Sequence, residues 1–296
     1  MNKEIHRVLV SFVVVWVLWS SVGSARAAAL ELGPAESKLQ LSQVAALLVG
    51  RYDNEPQRYY LKGMKRGATA PARLHVLIQP VAEKPLTFTL EERDGSEHDE
   101  VSRQGKLTLE ADAATRQVLM KLDAGALQCV WGWSRRNTVW MATPVGACRG
   151  FTDRGIAGKT LWLGADEFWL ESPKESVLTE LGRAHNYECY IALQPHDAKP
   201  QIFTGLHLHD RGGTLEVKTD ETPARTLTLS LRRGMWPSNS GNNLVELLSL
   251  YLHEPGNPAI LGSGWATPEA TRVGFGTEEE GVANGKTANA RCKRID

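Results

Sequence analysis

Short runs in which apolar and polar residues alternate recur through most of this sequence. At residues 73–78, 86–91 and 118–122, apolar side chains occupy every second position. This period of two places the apolar side chains on one face of a strand. Turn residues such as Asp94-Gly95 and Asp123-Ala124-Gly125 separate the runs. Strands that recur about every ten residues, with turns between them, indicate an antiparallel barrel or sandwich.

One segment has helical spacing instead. Between Pro34 and Leu48, apolar residues fall at helical intervals from Leu41 to Leu48, and Gly50 follows as a stop signal. We therefore expect a short helix followed by a mainly β chain, in which residues 51–231 form one barrel-like sheet. Residues 243–253 fit either a helix or a strand.

The first 27 residues are typical of a cleavable signal peptide. Basic residues precede an apolar run from Val8 to Trp19, and the small residues that follow end at Ala25-Arg26-Ala27. The apolar run is shorter than the roughly 20 residues of a membrane-spanning helix. The alternative is an uncleaved membrane anchor. Cleavage near Ala27 would release a periplasmic or secreted protein.

The charge balance argues against nucleic-acid binding. The whole chain has a net charge of zero, and removing residues 1–27 leaves 31 basic and 33 acidic residues without any basic run. We therefore expect no nucleic-acid partner, and no membrane span after the signal is removed. A small-molecule ligand and a client protein are the partners to expect, and a homodimer is allowed.

Cysteine number and placement predict disulfides. All four cysteines (Cys129, Cys148, Cys189 and Cys292) lie beyond the signal, and none forms a CxxC pair. An even number of cysteines in an exported chain favours disulfides over a zinc cluster. Three pairings are open. Proximity in the chain favours Cys129–Cys148, which leaves Cys189–Cys292.

Two clusters of side chains could carry chemistry. His207 and His209 share one face of a strand, but two ligands without a third do not make a metal site, so we predict none. Trp131 and Trp133 also share a face. If they point inward, they either fill an ordinary barrel core or form a wall on which a flat ligand stacks.

Several segments resemble the CpcT/CpeT family of phycobiliprotein chromophore lyases. Gly50-Arg51-Tyr52-Asp53-Asn54-Glu55-Pro56-Gln57 is similar to the motif that opens the family's barrel. Glu91-Glu92 and Arg103 look like its Glu-Gln and Arg strands, and Cys129 through Cys148 resembles its paired-cysteine block. The resemblance covers about residues 41–172. Gln128 and Glu92 depart from the family pattern, which has Gly and Gln at these positions.

The resemblance implies a lipocalin-like antiparallel β-barrel that binds a linear tetrapyrrole (bilin) and attaches it to a cysteine of a client protein. No cofactor is implied beyond the bilin, which is ligand or substrate. On this model Glu92 would contact pyrrole N–H groups, Arg103 or Arg73 would hold propionates, and Trp131 and Tyr52 would pack the rings. The expected ligand-binding set is Tyr52, Asn54, Gln57, Arg73, Glu92, Arg103, Trp131 and Trp133, with the catalytic residues unknown.

Export opposes the literal lyase role, because phycobiliproteins are cytosolic. The alternative is a periplasmic lipocalin-like carrier or sensor of a small apolar ligand, without catalytic activity. A third class is an envelope interaction protein whose barrel is filled. Asn54 and Gln57 likewise allow two roles, since they could face a cavity or close a barrel end by bonding the backbone. Residues 28–296 would then be one barrel domain, with 185–296 an extension that completes or decorates it.

Overall fold

A computed structural model of the chain describes residues 34–64, 69–150, 155–174, 178–194, 199–238, 243–257, 259–276 and 287–296. Within these ranges it contains two helices, α1 (Pro34–Leu48) and α2 (Glu55–Met64), and eighteen strands. The mainly β fold with a short N-terminal helix is thus confirmed. No helix in these ranges combines the length and apolar character needed to cross a membrane.

Ten strands close into an antiparallel barrel. Their order around the barrel is β1-β10-β9-β8-β7-β6-β5-β4-β3-β2, so β1 closes it by pairing with both β2 and β10. Because nearly every strand pairs with its neighbour in the chain, hairpins build most of the barrel. The strands are β1 (Gly50–Asp53), β2 (His75–Pro80), β3 (Thr87–Arg93), β4 (Arg103–Asp112), β5 (Gln117–Ala124), β6 (Leu127–Arg136), β7 (Val139–Pro144), β8 (Thr160–Leu163), β9 (Glu167–Glu171) and β10 (Thr179–Arg183).

Side chains fill the barrel interior. The inward residues of its strands join α1 residues such as Leu48 in one buried cluster. The largest fully buried side chains in that cluster are Trp131, Trp133, Tyr52 and Phe168. An eight-stranded barrel has an interior just wide enough for side chains or one small ligand. Here the large aromatic residues and α1 occupy the wider interior of ten strands.

The remaining strands form two further sheets, which we call the C-terminal sandwich (residues 186–294). One sheet has the order β12-β11-β18-β17 and the other β13-β14-β15-β16, and the two share one apolar core. The strands are β11 (Asn186–Gln194), β12 (Gln201–His209), β13 (Arg211–Lys218), β14 (Thr226–Pro237), β15 (Leu244–His253), β16 (Ile260–Ala266), β17 (Arg272–Gly276) and β18 (Thr287–Arg294).

The sandwich shows that the barrel is shorter than expected and that the ambiguous segment at residues 243–253 is a strand. A single barrel-like sheet through residue 231 is wrong, since the barrel closes at β10 and the later strands add none to it. The ambiguous segment at residues 243–253 is strand β15, which pairs with β14 and β16. Its apolar residues Leu248, Leu250 and Leu252 are buried, a spacing of two that fits a strand.

Both predicted disulfides are present. Cys129 in β6 bonds Cys148 in the segment after β7, and Cys189 in β11 bonds Cys292 directly opposite in β18. Two disulfides fit a location outside the cytoplasm. The proposed signal peptide, residues 1–27, lies outside the described residues.

Helix α2 is one of the elements that the sequence patterns missed, together with strands β16, β17 and β18. The start of α2 carries recognisable signals, because Asp53 and Asn54 precede Glu55-Pro56. The Asp53 carboxylate accepts a hydrogen bond from the Glu55 N–H at 2.8 Å, as a residue capping a helix does. Proline is favoured in the first turn because its missing N–H would have no partner there. This capping aims the Asp53 side chain toward the sandwich side of the barrel.

Candidate functional site

Trp131 and Trp133 lie inside the packed barrel. The Trp131 indole N–H donates to the Lys159 carbonyl at 2.9 Å, while the Trp133 indole nitrogen has no partner among the described residues. Both side chains are buried at or below 1% exposure. They therefore contact core neighbours, and neither lines the cleft described below.

Tyr52 joins the barrel core to α1. Its hydroxyl donates to the carbonyl of Leu47 at 2.6 Å and accepts from Arg183 at 2.8 Å. Its ring packs against Phe168 with centroids 5.2 Å apart. Burial raises the pKa of this tyrosine to about 12, although Arg183 acts in the opposite direction. The contacts of Tyr52 therefore lock the helix against the closing strand β1.

Asn54 and Gln57 both bond backbone groups. Asn54 donates to the Ala72 carbonyl at 2.9 Å and accepts from the Leu74 N–H at 2.8 Å. Gln57 donates to the Leu178 carbonyl at 2.6 Å and accepts from the N–H of residue 180 at 3.0 Å. These contacts hold the start of β2 and the start of β10 at one end of the barrel. Gln57 also lines a cleft.

Glu92 and Arg103 form a buried pair away from that cleft. The Glu92 carboxylate accepts from Arg103 and from the Ile156 N–H at 2.7 Å. Burial raises the pKa of Glu92, while Arg103 and the Ile156 N–H act to lower it. The pair holds the segment that begins at residue 155 against β3 and β4. The eight expected ligand-binding residues thus occupy several places in and around the barrel.

A half-open cleft of about 900 Å³ lies where the barrel meets the sandwich. Helix α2, the outer ends of β9 and β10, and strands β13–β15 surround it. Its lining mixes carboxylates, two arginines and apolar surface: Asp53, Pro56, Gln57, Tyr60, Leu61, Thr69, Asp166, Glu167, Trp169, Leu178, Glu180, Gly182, Arg211, Arg233, Gly234, Met235 and Glu246. This volume lies within the range of small-molecule sites.

Beside the cleft, three buried titratable groups and one partly buried group from both regions meet in what we call the junction cluster: Asp53, His75, His209 and the partly buried Glu97. His75 Nδ1 lies 3.1 Å from Asp53 Oδ2, and His209 Nε2 lies 3.2 Å from Glu97 Oε1. The two imidazole centroids are 5.5 Å apart. Because Asp53, His75 and Glu97 belong to the barrel chain and His209 ends β12, the cluster exists only when both regions are in place.

Two arginines balance the carboxylates of this cluster. Arg73 donates to Asp53 through two nitrogens, at 3.2 Å and 2.9 Å, and Arg51 pairs with Glu97. Burial acts to raise the pKa of Glu97, but His209 and Arg51 outweigh it and lower that pKa to about 2. Burial lowers the pKa of His75, which favours the neutral imidazole. The cluster therefore places two carboxylates, each paired with an arginine, beside the imidazoles of His75 and His209.

Sequence patterns singled out two residues of this arrangement, Arg73 and His209, but did not predict that they come together. A metal site at His209 needs a third ligand, and residue spacing could not identify one. Asp53 and His75 supply it from strands β1 and β2, and the exposed His207 does not take part. The His-x-His-Asp sequence at the end of β12 was the available signal, and its partners lie more than 100 residues earlier.

The comparisons with known proteins leave the fold and the site to be interpreted from this chain alone. Tested against protein-family models, curated proteins and solved structures, the chain matches none of them.

Proposed function

We propose that this protein is a non-catalytic binding protein that acts outside the cytoplasm and holds a small ligand in the cleft between barrel and sandwich. The observation that carries the proposal is the contrast between two spaces. The barrel interior, where a lipocalin would hold its ligand, is filled by Trp131, Trp133 and Tyr52. The cleft beside it has about 900 Å³ and both polar and apolar walls.

The charges that line the cleft favour a ligand with a cationic group. Asp53 is paired with Arg73, and Glu246 is paired with Arg233 at 2.9 Å. The other charged lining residues are Asp166, Glu167, Glu180 and Arg211, so carboxylates outnumber cations. Opposite charges across a binding surface increase association rates and select the partner.

The apolar part of the lining favours a flat ligand. Trp169 and Tyr60 are half-buried and line the cleft together with Leu61 and Leu178. Aromatic side chains offer broad faces on which a planar ligand packs. A planar molecule that carries a positive charge therefore fits this cleft best.

The bilin-lyase role is the second candidate. The size of the cleft favours it, since a linear tetrapyrrole belongs to the class of ligands that sites of this volume hold. Arg211 and Arg233 could pair with the two propionates, and Glu180 lies on the same wall for contact with pyrrole N–H groups. In that role the client protein would supply the cysteine, and this chain would position the bilin.

A pair of titrations separates these candidates. Proflavine, a flat cation, and biliverdin, an anionic bilin, are added to the purified protein while tryptophan fluorescence is followed. We expect saturable quenching by proflavine, weakened about tenfold, or about 1.4 kcal/mol, in Trp169→Ala. The matched control is Trp162→Ala, because Trp162 is the cross-strand neighbour of Trp169 and does not line the cleft.

Each other outcome has a defined meaning. Biliverdin binding that depends on Trp169, with no binding of proflavine, supports the bilin role. Binding that is equal in both variants contradicts the cleft as the site. If neither compound binds saturably, the carrier proposal fails and the filled-barrel interaction protein is favoured.

Export is part of the proposal. Residues 1–27 would be removed after Ala27, which gives a mature protein that begins at Ala28. Amino-terminal sequencing of the protein recovered from its host tests this step. A purified chain that still begins at Met1 would contradict cleavage.

A further inference from the structure

The junction cluster has the composition of a metal site. It brings together two carboxylates and two imidazoles from β1, β2, the segment between β3 and β4, and the end of β12. We propose that Asp53, His75, Glu97 and His209 bind one divalent transition-metal ion, with Zn²⁺ the ion of best fit. This inference is independent of the cleft ligand, because it concerns only the chain's own side chains.

Two of the distances between donor atoms match the edges of a tetrahedral site. Zinc bonds to nitrogen and oxygen are about 2.0–2.1 Å long, so neighbouring ligand atoms of a tetrahedron lie about 3.3 Å apart. The Asp53 Oδ2 to His75 Nδ1 distance is 3.1 Å, and the Glu97 Oε1 to His209 Nε2 distance is 3.2 Å. The ligating atoms of Asp53, His75 and His209 all lie within 4.8 Å of one another.

Two polar atoms in this cluster form an ion pair with each other but lack the alignment of a hydrogen bond. His209 is 0% exposed, yet its Nε2 makes no hydrogen bond with the described residues, and the same holds for Glu97 Oε1. The two atoms lie against each other at 3.2 Å without hydrogen-bond alignment. A misaligned contact satisfies the buried His209 nitrogen less well than an aligned hydrogen bond would. An ion bound between these atoms would satisfy both at once.

The surrounding side chains orient the ligands. Arg73 donates to Asp53, and Arg51 pairs with Glu97, so each carboxylate is held from behind. Hydrogen bonds of this kind fix ligating groups in place and are as characteristic of metal sites as the ligands themselves. Two imidazoles among the four donors favour Zn²⁺ or a neighbouring transition metal over Ca²⁺ and Mg²⁺, which prefer oxygen alone.

Binding also has a local cost. The Arg211 N–H donates to His209 Nδ1 at 3.2 Å. A neutral imidazole that binds metal through Nε2 carries its proton on Nδ1, so this hydrogen bond must break. The turn at residues 210–213 would then shift when the ion binds. For this reason we expect weaker affinity than that of closed structural zinc sites.

Zinc binding by the folded, oxidised protein tests the proposal. After treatment with a chelator and its removal, Zn²⁺ is titrated in competition with a chromophoric chelator. We expect one ion per chain and at least tenfold weaker binding in His209→Gln and His75→Gln. The matched control is His207→Gln, since His207 is exposed two residues earlier on β12 and should leave binding unchanged.

Two results would overturn the site. One is the absence of zinc binding by the unaltered protein. The other is binding that survives both histidine substitutions, which would show an adventitious surface ion only. Because a histidine substitution could disturb the junction itself, Glu97→Gln provides a second variant that keeps the side-chain shape. With circular dichroism and disulfide content unchanged, this variant must also bind zinc more weakly.

Discussion

The barrel and the C-terminal sandwich differ in how far along the chain their strands find partners. In the barrel, successive strands pair as hairpins from β2 to β10, and β1 alone reaches across to close the ring. In the sandwich, β11 pairs with β18, and the disulfide that joins them spans 103 residues. The barrel is therefore built from local contacts, whereas half of the sandwich depends on the end of the chain.

The two regions distribute their apolar and charged side chains in the same way. Both have apolar cores, and buried carboxylates and imidazoles are concentrated where the regions meet. Across that junction Arg232 bonds Glu55 through two nitrogens, and His98 contacts the Thr214 carbonyl at 2.7 Å. Hairpins between neighbouring strands therefore build the barrel, whereas the candidate sites form where the barrel and the sandwich, which are distant in sequence, come into contact.

We expect the largest loss of stability when the disulfide of the sandwich is removed, and a smaller loss when that of the barrel is removed. In the chain-entropy model, a crosslink that closes about 100 residues contributes about 4.7 kcal/mol, and one that closes 19 residues about 3 kcal/mol. We expect Cys189→Ala/Cys292→Ala to lower the free energy of unfolding more than Cys129→Ala/Cys148→Ala. Guanidinium unfolding followed by circular dichroism measures both. Equal losses would contradict the contrast between local and long-range construction.

The same contrast explains how much of the fold could be predicted. Alternating residues in β2, β3 and β5 reveal both the strands and their inward faces, because hairpin neighbours are also sequence neighbours. The second partner of β11, β18, lies beyond residue 285, and only the predicted Cys189–Cys292 disulfide indicated it. Sequence patterns therefore found β11 to β14 but assigned them to the barrel, left β15 ambiguous, and did not predict β16, β17 or β18.

A matched pair of core substitutions comes next in size. Trp131→Ala empties a fully buried site in the barrel and should cost about 3–5 kcal/mol, while Leu250→Ala in the sandwich should cost about 2–5 kcal/mol. If the regions unfold as one cooperative unit, both changes shift the same transition. Fluorescence and circular dichroism should then give coincident curves. Separate transitions, each moved by only one variant, would show two independent units.

The candidate site shows where prediction from sequence ends. Asn54 and Gln57 were recognised as polar residues able to bond the backbone at a barrel end, but their partners, Ala72 and Leu178, could not be named. His75, Glu97 and His209 meet only through the junction. Their identities suit metal binding, yet nothing in their separate sequence contexts predicts that they touch.

Alkaline pH should destabilise the barrel through Tyr52. Its pKa is about 12 in the folded protein and near 10 in the unfolded chain. Between these values the unfolded chain loses a proton that the folded chain keeps, so the free energy of unfolding falls as pH rises, by about 3 kcal/mol in total. Tyr52→Phe should remove this part of the pH dependence. A variant with the unchanged alkaline profile would contradict the assignment.

Tyr187 provides the corresponding test in the sandwich. Burial raises its pKa to about 12 as well, and its hydroxyl donates to the Ala270 carbonyl at 2.8 Å. Absorbance of tyrosinate should therefore show two tyrosines that ionise late. One of them should disappear from the titration in Tyr52→Phe and the other in Tyr187→Phe.

The smallest expected effect tests the junction itself. Arg232 donates to both oxygens of Glu55, at 2.8 Å and 2.7 Å, and its guanidinium lies 4.0 Å from the centroid of the Tyr59 ring. Because both charged side chains are partly exposed, we expect Arg232→Met to cost only about 1 kcal/mol. Arg291→Met is the matched control, since Arg291 is exposed on β18 away from the junction.

A double-mutant cycle with Glu55→Gln isolates the pair. A coupling energy of about 0.5–1 kcal/mol is expected if the ion pair acts across the junction.

Limited proteolysis adds the readout that stability alone does not give. A weakened junction should expose the connection at residues 183–186 while both cores stay intact. Faster cleavage there in Arg232→Met, with no change in Arg291→Met, would show that polar contacts hold the two regions together. Equal cleavage in both variants would mean that apolar packing around α2 holds the junction and that the ion pair is dispensable.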